Sequence, residues 1–546
     1  MDKKRGNTFL GGVLVLTCAN LLTKVIGLVF KIPLTNMLGN EGMGYFNTAY
    51  QIYTWLYMIS TAGVPVALSM MISECNAQGK RAEEKKLFRL TLAVFSVIGL
   101  LGSVLMLVFS RGLAAFISAD KAFLCIMAIA PALFFVCITS SVRGYFQGRR
   151  NMLPTAVSEI IESLLKLTVG ILLGGYALNK GYELYRVAAY AILGVTVGMG
   201  ASAAFLALSA FFSKCLASGD AVPDNEKTES SKKLLATFFK LAIPVMLSSS
   251  LLSMSSMFDT LIVIRRLQDI GISEVGAVAM YGNYTAYCVT LFNLPPVLIY
   301  PIVNTLIPSL VAARAVGDTE KSRLLTEKSL KLSAMISLPC SLGLGVMSLP
   351  ILKLIFTSAA NAEMAAPLLT TLAPSVFLIG VMAVTNGMLQ AFKLQKYSLI
   401  SMGAGVIVKG VFAYLLPALK IGGNYLGIYA SPISTFLFYF TITAFNFYFL
   451  ARHASVRFSA VKVFVKPLIA SAICAATAAG VYMGLTLLIG EAKILALVAI
   501  GVAAIIYAFA LLLLGAVTKS DIALIPKAEK LVNKIPIVRS LIRDNK

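Results

Sequence analysis

Histidine, acidic residues and recognisable catalytic motifs are scarce in this sequence. His453 is the only histidine among 546 residues, which excludes catalytic triads, H-E-x-x-H metal sites and histidine proton relays. No G-x-x-x-x-G-K-[ST] stretch occurs, so the chain lacks the phosphate-binding loop of an ATPase. These absences argue against an enzyme, and the sequence predicts no cofactor.

Cysteine pairs and long polar stretches are missing as well. The eight cysteines are scattered and form no C-x-x-C pair, so they predict neither a disulfide framework nor a zinc site. Charged residues make up only 13% of the chain, whereas hydrophobic residues make up 58%. Because no polar region is long enough to fold as a soluble domain, the composition predicts one integral membrane unit.

Apolar runs long enough to cross a bilayer recur from one end of the sequence to the other. A run of more than about 18 such residues predicts a membrane-spanning helix. The sequence contains fourteen of these runs and therefore predicts an all-α polytopic membrane protein. Their limits are 8–38, 45–74, 88–110, 121–147, 154–177, 184–213, 236–264, 278–312, 330–353, 363–392, 397–418, 424–451, 463–489 and 492–517.

The basic residues predict the direction of the spans. With the N-terminus in the cytoplasm, the inner segments hold 33 of the 47 Lys and Arg residues and the outer loops hold 9. This bias follows the positive-inside rule and predicts that both termini are cytoplasmic in the plasma membrane. It also explains the net charge of +23 without nucleic acid as a partner. Residues 518–546 are predicted to form a basic amphipathic tail on the inner leaflet.

The two halves of the chain resemble each other weakly. Thr48-Ala49-Tyr50 recurs as Thr285-Ala286-Tyr287. Four further residues match at an offset of 243, with Gly144, Gln147, Arg150 and Lys166 opposite Gly387, Gln390, Lys393 and Lys409. An offset of six spans preserves direction, so the halves are predicted to be parallel repeats with a substrate site between them. The predicted domains are an N-lobe at 1–213, a cytoplasmic linker at 214–235, a C-lobe at 236–451, a final helix pair at 452–517 and the tail.

Charged residues inside the predicted spans are the candidate functional residues. A charge at the bilayer centre costs about 2.5–3.5 kcal/mol on insertion scales, so it needs a partner or water. Asn20, Lys24 and Lys31 share one face of the first span, at spacings of four and seven. Glu159, Glu162 and Lys166 share a face of the fifth span, and Arg143 lies near the end of the fourth.

Two interpretations of these charges stay open. Glu162 and Lys166 have the favourable i,i+4 order, so the fifth span could carry a self-neutralised patch that only holds helices together. Alternatively, the deep cations line a central cavity, and Arg265 and Arg266 of the seventh span add to them. Because cations outnumber anions, the second interpretation favours an anionic substrate such as a diphosphate.

The seventh span also carries Asp259, which is a candidate site for a coupling Na⁺ or H⁺. The second span is rich in aromatic residues, namely Tyr45, Tyr50, Tyr53, Trp55 and Tyr57. These favour a membrane-interface belt, and stacking on sugars is the alternative.

Two motifs resemble a known family. R-G-Y-F-Q-G-R-R-N-M-x-P-T-A-x-S-E-x-x-E at 143–162 and K-I-P-L-T-N-x-L-G at 31–39, with the fourteen-span plan, are similar to the stage V sporulation protein B branch of the MOP superfamily, which includes MurJ-like lipid II flippases. The resemblance implies two six-helix lobes that move a lipid-linked diphosphate glycan, a peptidoglycan precursor, to the outer leaflet by alternating access. It also implies a role beside the cell-wall synthesis machinery.

Such flippases bind substrate through basic residues on helices 1, 2 and 8. In this sequence only helix 1 has basic residues that match this pattern, namely Lys24 and Lys31. The second span has no arginine, and the eighth has no charge in its apolar core. Four alternatives stay open: an exporter of another lipid-linked oligosaccharide, a MATE-type cation or drug antiporter, a membrane glycosyl- or phosphotransferase, and a non-transporting scaffold. Cationic drugs favour acidic cavities, and the absence of acidic loop motifs argues against the transferase.

Overall fold

The computed structural model describes residues 2–212, 228–315, 317–454, 459, 461–490 and 492–516. The predicted tail at 518–546 and most of the predicted linker at 214–235 lie outside these residues. The helices pack into two units, Met1–Ala286 and Tyr287–Lys546. The helix at the start of the predicted C-lobe thus packs with the first unit, and the domain limits given above stay a prediction.

The first unit is built from ten helices among the described residues. They are α1 (Asp2–Thr61), α2 (Val64–Gln78), α3 (Arg81–Val108), α4 (Ser110–Phe116), α5 (Phe123–Gly148), α6 (Leu153–Asn179), α7 (Leu184–Phe212), α8 (Ser231–Phe258), α9 (Ile264–Asp269) and α10 (Glu274–Asn283). A 3₁₀ turn, Asp120–Ala122, precedes α5, and a π-helical segment, Asp259–Val263, joins α8 to α9.

The second unit continues with ten more helices among the described residues. They are α11 (Thr290–Phe292), α12 (Pro295–Ala315), α13 (Thr319–Val346), α14 (Ser348–Ile355), α15 (Ala359–Leu372), α16 (Pro374–Ala391), α17 (Gln395–Leu415), α18 (Ala430–Ala454), α19 (Lys466–Ile489) and α20 (Lys493–Leu513). Two π-helical segments, Tyr284–Val289 and Val461–Val465, precede α11 and α19. The loop before α18 contains 3₁₀ turns at Leu416–Ala418 and Gly427–Tyr429 and a two-stranded antiparallel hairpin, β1 (Lys420–Ile421) with β2 (Asn424–Tyr425).

The predicted all-α membrane class is confirmed. Within the described residues, eleven helical stretches are long and apolar enough to cross a membrane. The first of them, Cys18–Gln78, covers two predicted spans, because the helix bends at Gly39 and then continues. Gly39 has φ 59° and ψ −165°, a backbone conformation that a residue with a Cβ rarely adopts. The count of fourteen spans stays a prediction.

The internal repeat is visible in the backbone. α5 is followed by a residue with a positive φ of 59°, Arg150, and α16 is followed by a residue with the same φ, Lys393. In both places the amide of this residue bonds back to the helix, from Arg150 to the Gln147 carbonyl at 2.9 Å and from Lys393 to the Gln390 carbonyl at 3.0 Å. The 243-residue offset therefore relates equivalent helix ends, as the sequence predicts.

The close packing of α6 on α7 fixes the position of the charged face of α6. Gly198 of α7 lies directly against the backbone of α6, where an added Cβ would be 2.6 Å from the Glu162 carbonyl oxygen. No side chain fits in that space, so glycine allows the two helix backbones to approach. Glu162 and Lys166 are thereby held against the interior of the first unit.

Candidate functional site

The polar stripe of α1 lies between the buried and the apolar exposed faces of that helix. Asn20 and Lys24 are exposed, Lys31 is half-buried, and Thr35 is fully buried. The apolar exposed face is formed by neighbouring positions such as Leu22 and Val25. The stripe thus has the placement expected of a helix that borders a polar space as well as lipid.

Lys31 begins a short chain of hydrogen bonds that joins α1 to the π-helical segment after α10. Its Nζ donates to Asn47 Oδ1 at 3.0 Å, and Asn47 Nδ2 donates to Thr285 Oγ1 at 2.9 Å. Asn47 is 3% exposed, so its amide is oriented by these two partners. The Thr-Ala-Tyr repeat noted in the sequence places Thr285 at this junction.

Arg143 joins three helices of the first unit. Its Nε donates to Ser158 Oγ at 3.0 Å, and its Nη2 donates to Glu162 Oε2 at 3.0 Å and to Ser202 Oγ at 3.1 Å. The side chains of Arg143 and Glu162 are 13% and 23% exposed. Glu162 thus pairs with Arg143 of α5 and not with Lys166, so the self-neutralised i,i+4 pair, one of the two interpretations left open by the sequence, is wrong.

Glu159 lies one turn before Glu162 on α6. The charges that act on its carboxylate are those of Arg143, Glu162 and Lys24. Its Oε2 is buried and has no hydrogen-bond partner among the described residues. Lys24 of α1 is thus one of the charges that act on Glu159, although the residue is exposed.

Lys166 contacts aromatic rings instead of a carboxylate. Its Nζ lies 4.9 Å from the ring centre of Tyr50 and 5.4 Å from that of Phe30, and it donates to the Tyr50 hydroxyl at 3.5 Å. Aromatic faces attract cations, so these rings stabilise the ammonium group. Lys166 also lies close enough to Lys31 for the two charges to repel each other.

These six charged residues form a single group, which we call the basic cluster: Lys24, Lys31, Arg143, Lys166, Glu159 and Glu162. It contains four cations and two carboxylates, so it carries a net charge of +2 when all are ionised. An excess of fixed positive charge in a poorly solvated place attracts an anion.

Arg265 and Arg266 lie in α9, and Asp259 begins the π-helical segment before it. Arg266 pairs with Asp269 at 2.8 Å, and the neighbouring Gln268 donates to the Ser118 carbonyl at 2.6 Å. This end of the helix therefore packs on a predicted outer loop, whereas Arg143 lies near a predicted inner loop.

Asp259 begins the π-helical segment and is 7% exposed. Its charge acts on Tyr281, whose hydroxyl lies 2.6 Å from Thr260 Oγ1. The roles of Asp259, Arg265 and Arg266 stay predictions. No cluster of three or more potential metal ligands occurs in the described part of the chain.

In the second unit, the position that matches Arg143 carries a neutral amide. Asn386, the repeat partner of Arg143, accepts at Oδ1 from Asn446 Nδ2 at 2.8 Å and from Ser398 Oγ at 3.0 Å. Lys409, the repeat partner of Lys166, is fully buried and donates to Thr435 Oγ1 and the Ser431 carbonyl. At the position of Arg143, the second unit therefore joins its helices through neutral amides instead of an ion pair.

Sequence reasoning missed the polar partners that orient the charges. Asn47, Ser158, Ser202 and Thr285 are small polar residues within apolar runs, and only tertiary packing shows which charge each one contacts. The position of Asn47 beside the repeated Thr-Ala-Tyr motif was the one available signal.

Comparison with known proteins agrees with the resemblance predicted from the two motifs. Residues 9–314 match the model of a family described as polysaccharide biosynthesis protein. Stage V sporulation protein B of Bacillus subtilis (strain 168) is 26% identical over 430 residues, which cover 77% of this chain and 80% of the relative. Lipid II flippase MurJ of the same strain is 25% identical over 480 residues, 84% of each chain.

A solved structure has the same fold. The lipid II flippase MurJ in an inward closed conformation aligns with a TM-score of 0.69 at 14% identity, over 91% of this chain and 98% of that one. The fold and the family match agree with a polytopic membrane transporter and not with an enzyme. The chain belongs to the polysaccharide biosynthesis protein family.

Proposed function

We propose that this protein is a flippase that moves a lipid-linked peptidoglycan precursor, the undecaprenyl-diphosphate-linked lipid II, from the inner to the outer leaflet by alternating access. The observation that carries the proposal is the basic cluster, in which four cations accompany two carboxylates. The name of one relative, lipid II flippase MurJ, supports the same substrate class.

The proposed mechanism needs no covalent step. The diphosphate leaves water for the basic cluster, where lysine and arginine replace part of its hydration through charge-assisted hydrogen bonds. The polyprenyl chain stays in lipid throughout. A membrane potential that is negative inside then favours outward movement of an anion by about 2.3 kcal/mol per charge per 100 mV.

A second candidate cargo is another lipid-linked oligosaccharide. It would share the diphosphate and the polyprenyl chain, so the basic cluster suits it equally. A cationic drug is the weaker candidate, because the net positive charge of the cluster would repel it.

Complementation tests the proposal. A cell depleted of its own lipid II flippase is expected to grow when it expresses this chain, and to lose that growth with Lys24→Ala or Lys31→Ala. Lys180→Ala is the matched control, because Lys180 is an exposed lysine at the end of α6. Immunoblots confirm equal membrane levels. Rescue that persists with both substitutions would refute a role for the basic cluster in transport.

Two further parts of the proposal concern coupling and placement. Asp259 is proposed as the site of a coupling Na⁺ or H⁺, and Asp259→Asn is expected to abolish the ion dependence of transport while protein levels stay normal. Unchanged ion dependence would remove that role.

We also propose that the protein lies in the plasma membrane with both termini in the cytoplasm, beside the cell-wall synthesis machinery. Terminal reporter fusions test the orientation, and crosslinking tests the association with that machinery.

A further inference from the structure

Four aromatic rings stack along one face of α1 beyond the Gly39 bend. We call Phe46, Tyr50, Tyr53 and Tyr57 the aromatic ladder. Successive ring centres lie 6.1 Å, 6.1 Å and 6.3 Å apart, and the interplanar angles are 17°, 46° and 10°. Two of the three pairs are therefore nearly parallel and the middle pair is tilted, so the four rings form one row along the helix.

The ladder does not form the interface belt that the sequence favoured. Tyr53 is 3% exposed and Tyr45 is fully buried, so neither lies at a lipid-water boundary. Tyr50 and Tyr57 are half-buried and form the accessible rings of the ladder. The interface interpretation is wrong for the two buried tyrosines.

One polar atom of the ladder has no hydrogen-bond partner in the described part of the chain. It is the Tyr53 hydroxyl, which is buried. Buried tyrosine hydroxyls usually have a partner, because leaving them unbonded is unfavourable. The Tyr53 hydroxyl is thus able to bond to a group that enters from outside the chain.

The ladder is continuous with the basic cluster. Lys166 lies over the Tyr50 ring at 4.9 Å. The charge of Glu162 acts on both Tyr53 and Tyr57, and that of Arg143 acts on Tyr57. A ligand whose anionic group reaches the cluster would therefore place its adjoining part beside the two accessible rings, Tyr50 and Tyr57.

We propose that the aromatic ladder binds the saccharide of the lipid-linked diphosphate. Sugar rings have an apolar C–H face, which packs on an aromatic ring, and a hydroxyl edge, which can bond to the Tyr53 hydroxyl. The basic cluster binds the diphosphate, and the ladder binds the saccharide that is attached to it. This inference rests on the proposed function and adds to it the surface that distinguishes a glycosylated carrier from a bare one.

Two ligands and three kinds of variant separate the two surfaces. Purified protein in nanodiscs is titrated with lipid II and with undecaprenyl diphosphate, which has no sugar. Tyr53→Phe removes only the hydroxyl, and Tyr57→Leu removes one accessible ring. Each is expected to weaken lipid II binding about three- to tenfold, the range of one lost hydrogen bond or ring contact, and to leave undecaprenyl diphosphate within about twofold.

Controls make each result decisive. Tyr176→Phe, on the exposed part of α6, is the matched tyrosine control and is expected to change neither affinity. Lys31→Gln is expected to weaken the binding of both lipid II and undecaprenyl diphosphate. Unchanged lipid II affinity in both ladder variants, or an equal loss for both ligands, would overturn the saccharide proposal. If Lys31→Gln alters neither affinity while the ladder variants weaken lipid II, the diphosphate role of the cluster fails and the ladder proposal stands.

Discussion

The ion pair between Arg143 and Glu162 gives the sharpest stability prediction. Removing one partner of a buried pair costs about 3–5 kcal/mol, because the other charge is left without compensation. The two side chains here are 13% and 23% exposed, so residual solvation lowers the expected cost. We expect Glu162→Gln and Arg143→Gln each to reduce the free energy of unfolding by about 2–3 kcal/mol.

The double variant is expected to lose much less than the sum of the two single losses. Once both charges are gone, the remaining amides can bond to Ser158 and Ser202, as Asn386 does with its partners in the second unit. The predicted coupling free energy is at least about 1 kcal/mol. Equilibrium unfolding in mixed micelles with increasing denaturing detergent measures all four proteins.

A matched pair outside the cluster calibrates the measurement. Lys353 and Glu363 lie 3.1 Å apart and are 25% and 58% exposed, so Glu363→Gln is expected to change the free energy of unfolding by less than about 1 kcal/mol. Additive losses at Arg143 and Glu162 would refute the reasoning, because they would mean that neither charge depends on the other.

Two further predictions concern how the charges are held. Gly198→Val is expected to destabilise the protein by about 1–3 kcal/mol, because the new side chain would meet the Glu162 carbonyl. The control, Gly175→Ala, has open space around the new methyl group and should not destabilise the protein. Thermal unfolding of both variants tests this prediction. Thr285→Val removes the hydroxyl that accepts from Asn47, so it is expected to lower the free energy of unfolding by about 1 kcal/mol and to weaken diphosphate binding through Lys31. The control, Thr168→Val at an exposed position of α6, should leave diphosphate binding unchanged. A loss of binding in the control only would contradict the hydrogen-bond chain from Lys31.

Much of the fold follows from the sequence because helix formation in a membrane is governed by local composition. Apolar runs predicted most helices, since every backbone polar group must be bonded within the chain in lipid. Conformational detail was less accessible. The bend at Gly39 and the π-helical segments at Asp259–Val263 and Tyr284–Val289 depend on packing between helices, for which no local pattern gives a signal.

The candidate site was predictable in its residues but not in their pairing. Lys24, Lys31 and Glu159 stand out because charge within an apolar run is costly. The partner of Glu162 could not be predicted, because spacing along one helix indicates only Lys166, whereas Arg143 approaches from another helix. Arg265 and Arg266 share the same type of sequence context as the cluster, and the contacts at Gln268 and Asp269 could not be predicted from it.

The central claim is that Lys24 and Lys31 help to carry a lipid-linked diphosphate across the membrane. The most direct measurement is the initial rate of lipid II movement between leaflets in proteoliposomes that contain the purified protein. We predict movement well above protein-free vesicles for the unmodified chain and background rates for the Lys24→Ala/Lys31→Ala double variant, with normal rates for Lys180→Ala. A double variant that moves lipid II as fast as the unmodified protein would contradict the account.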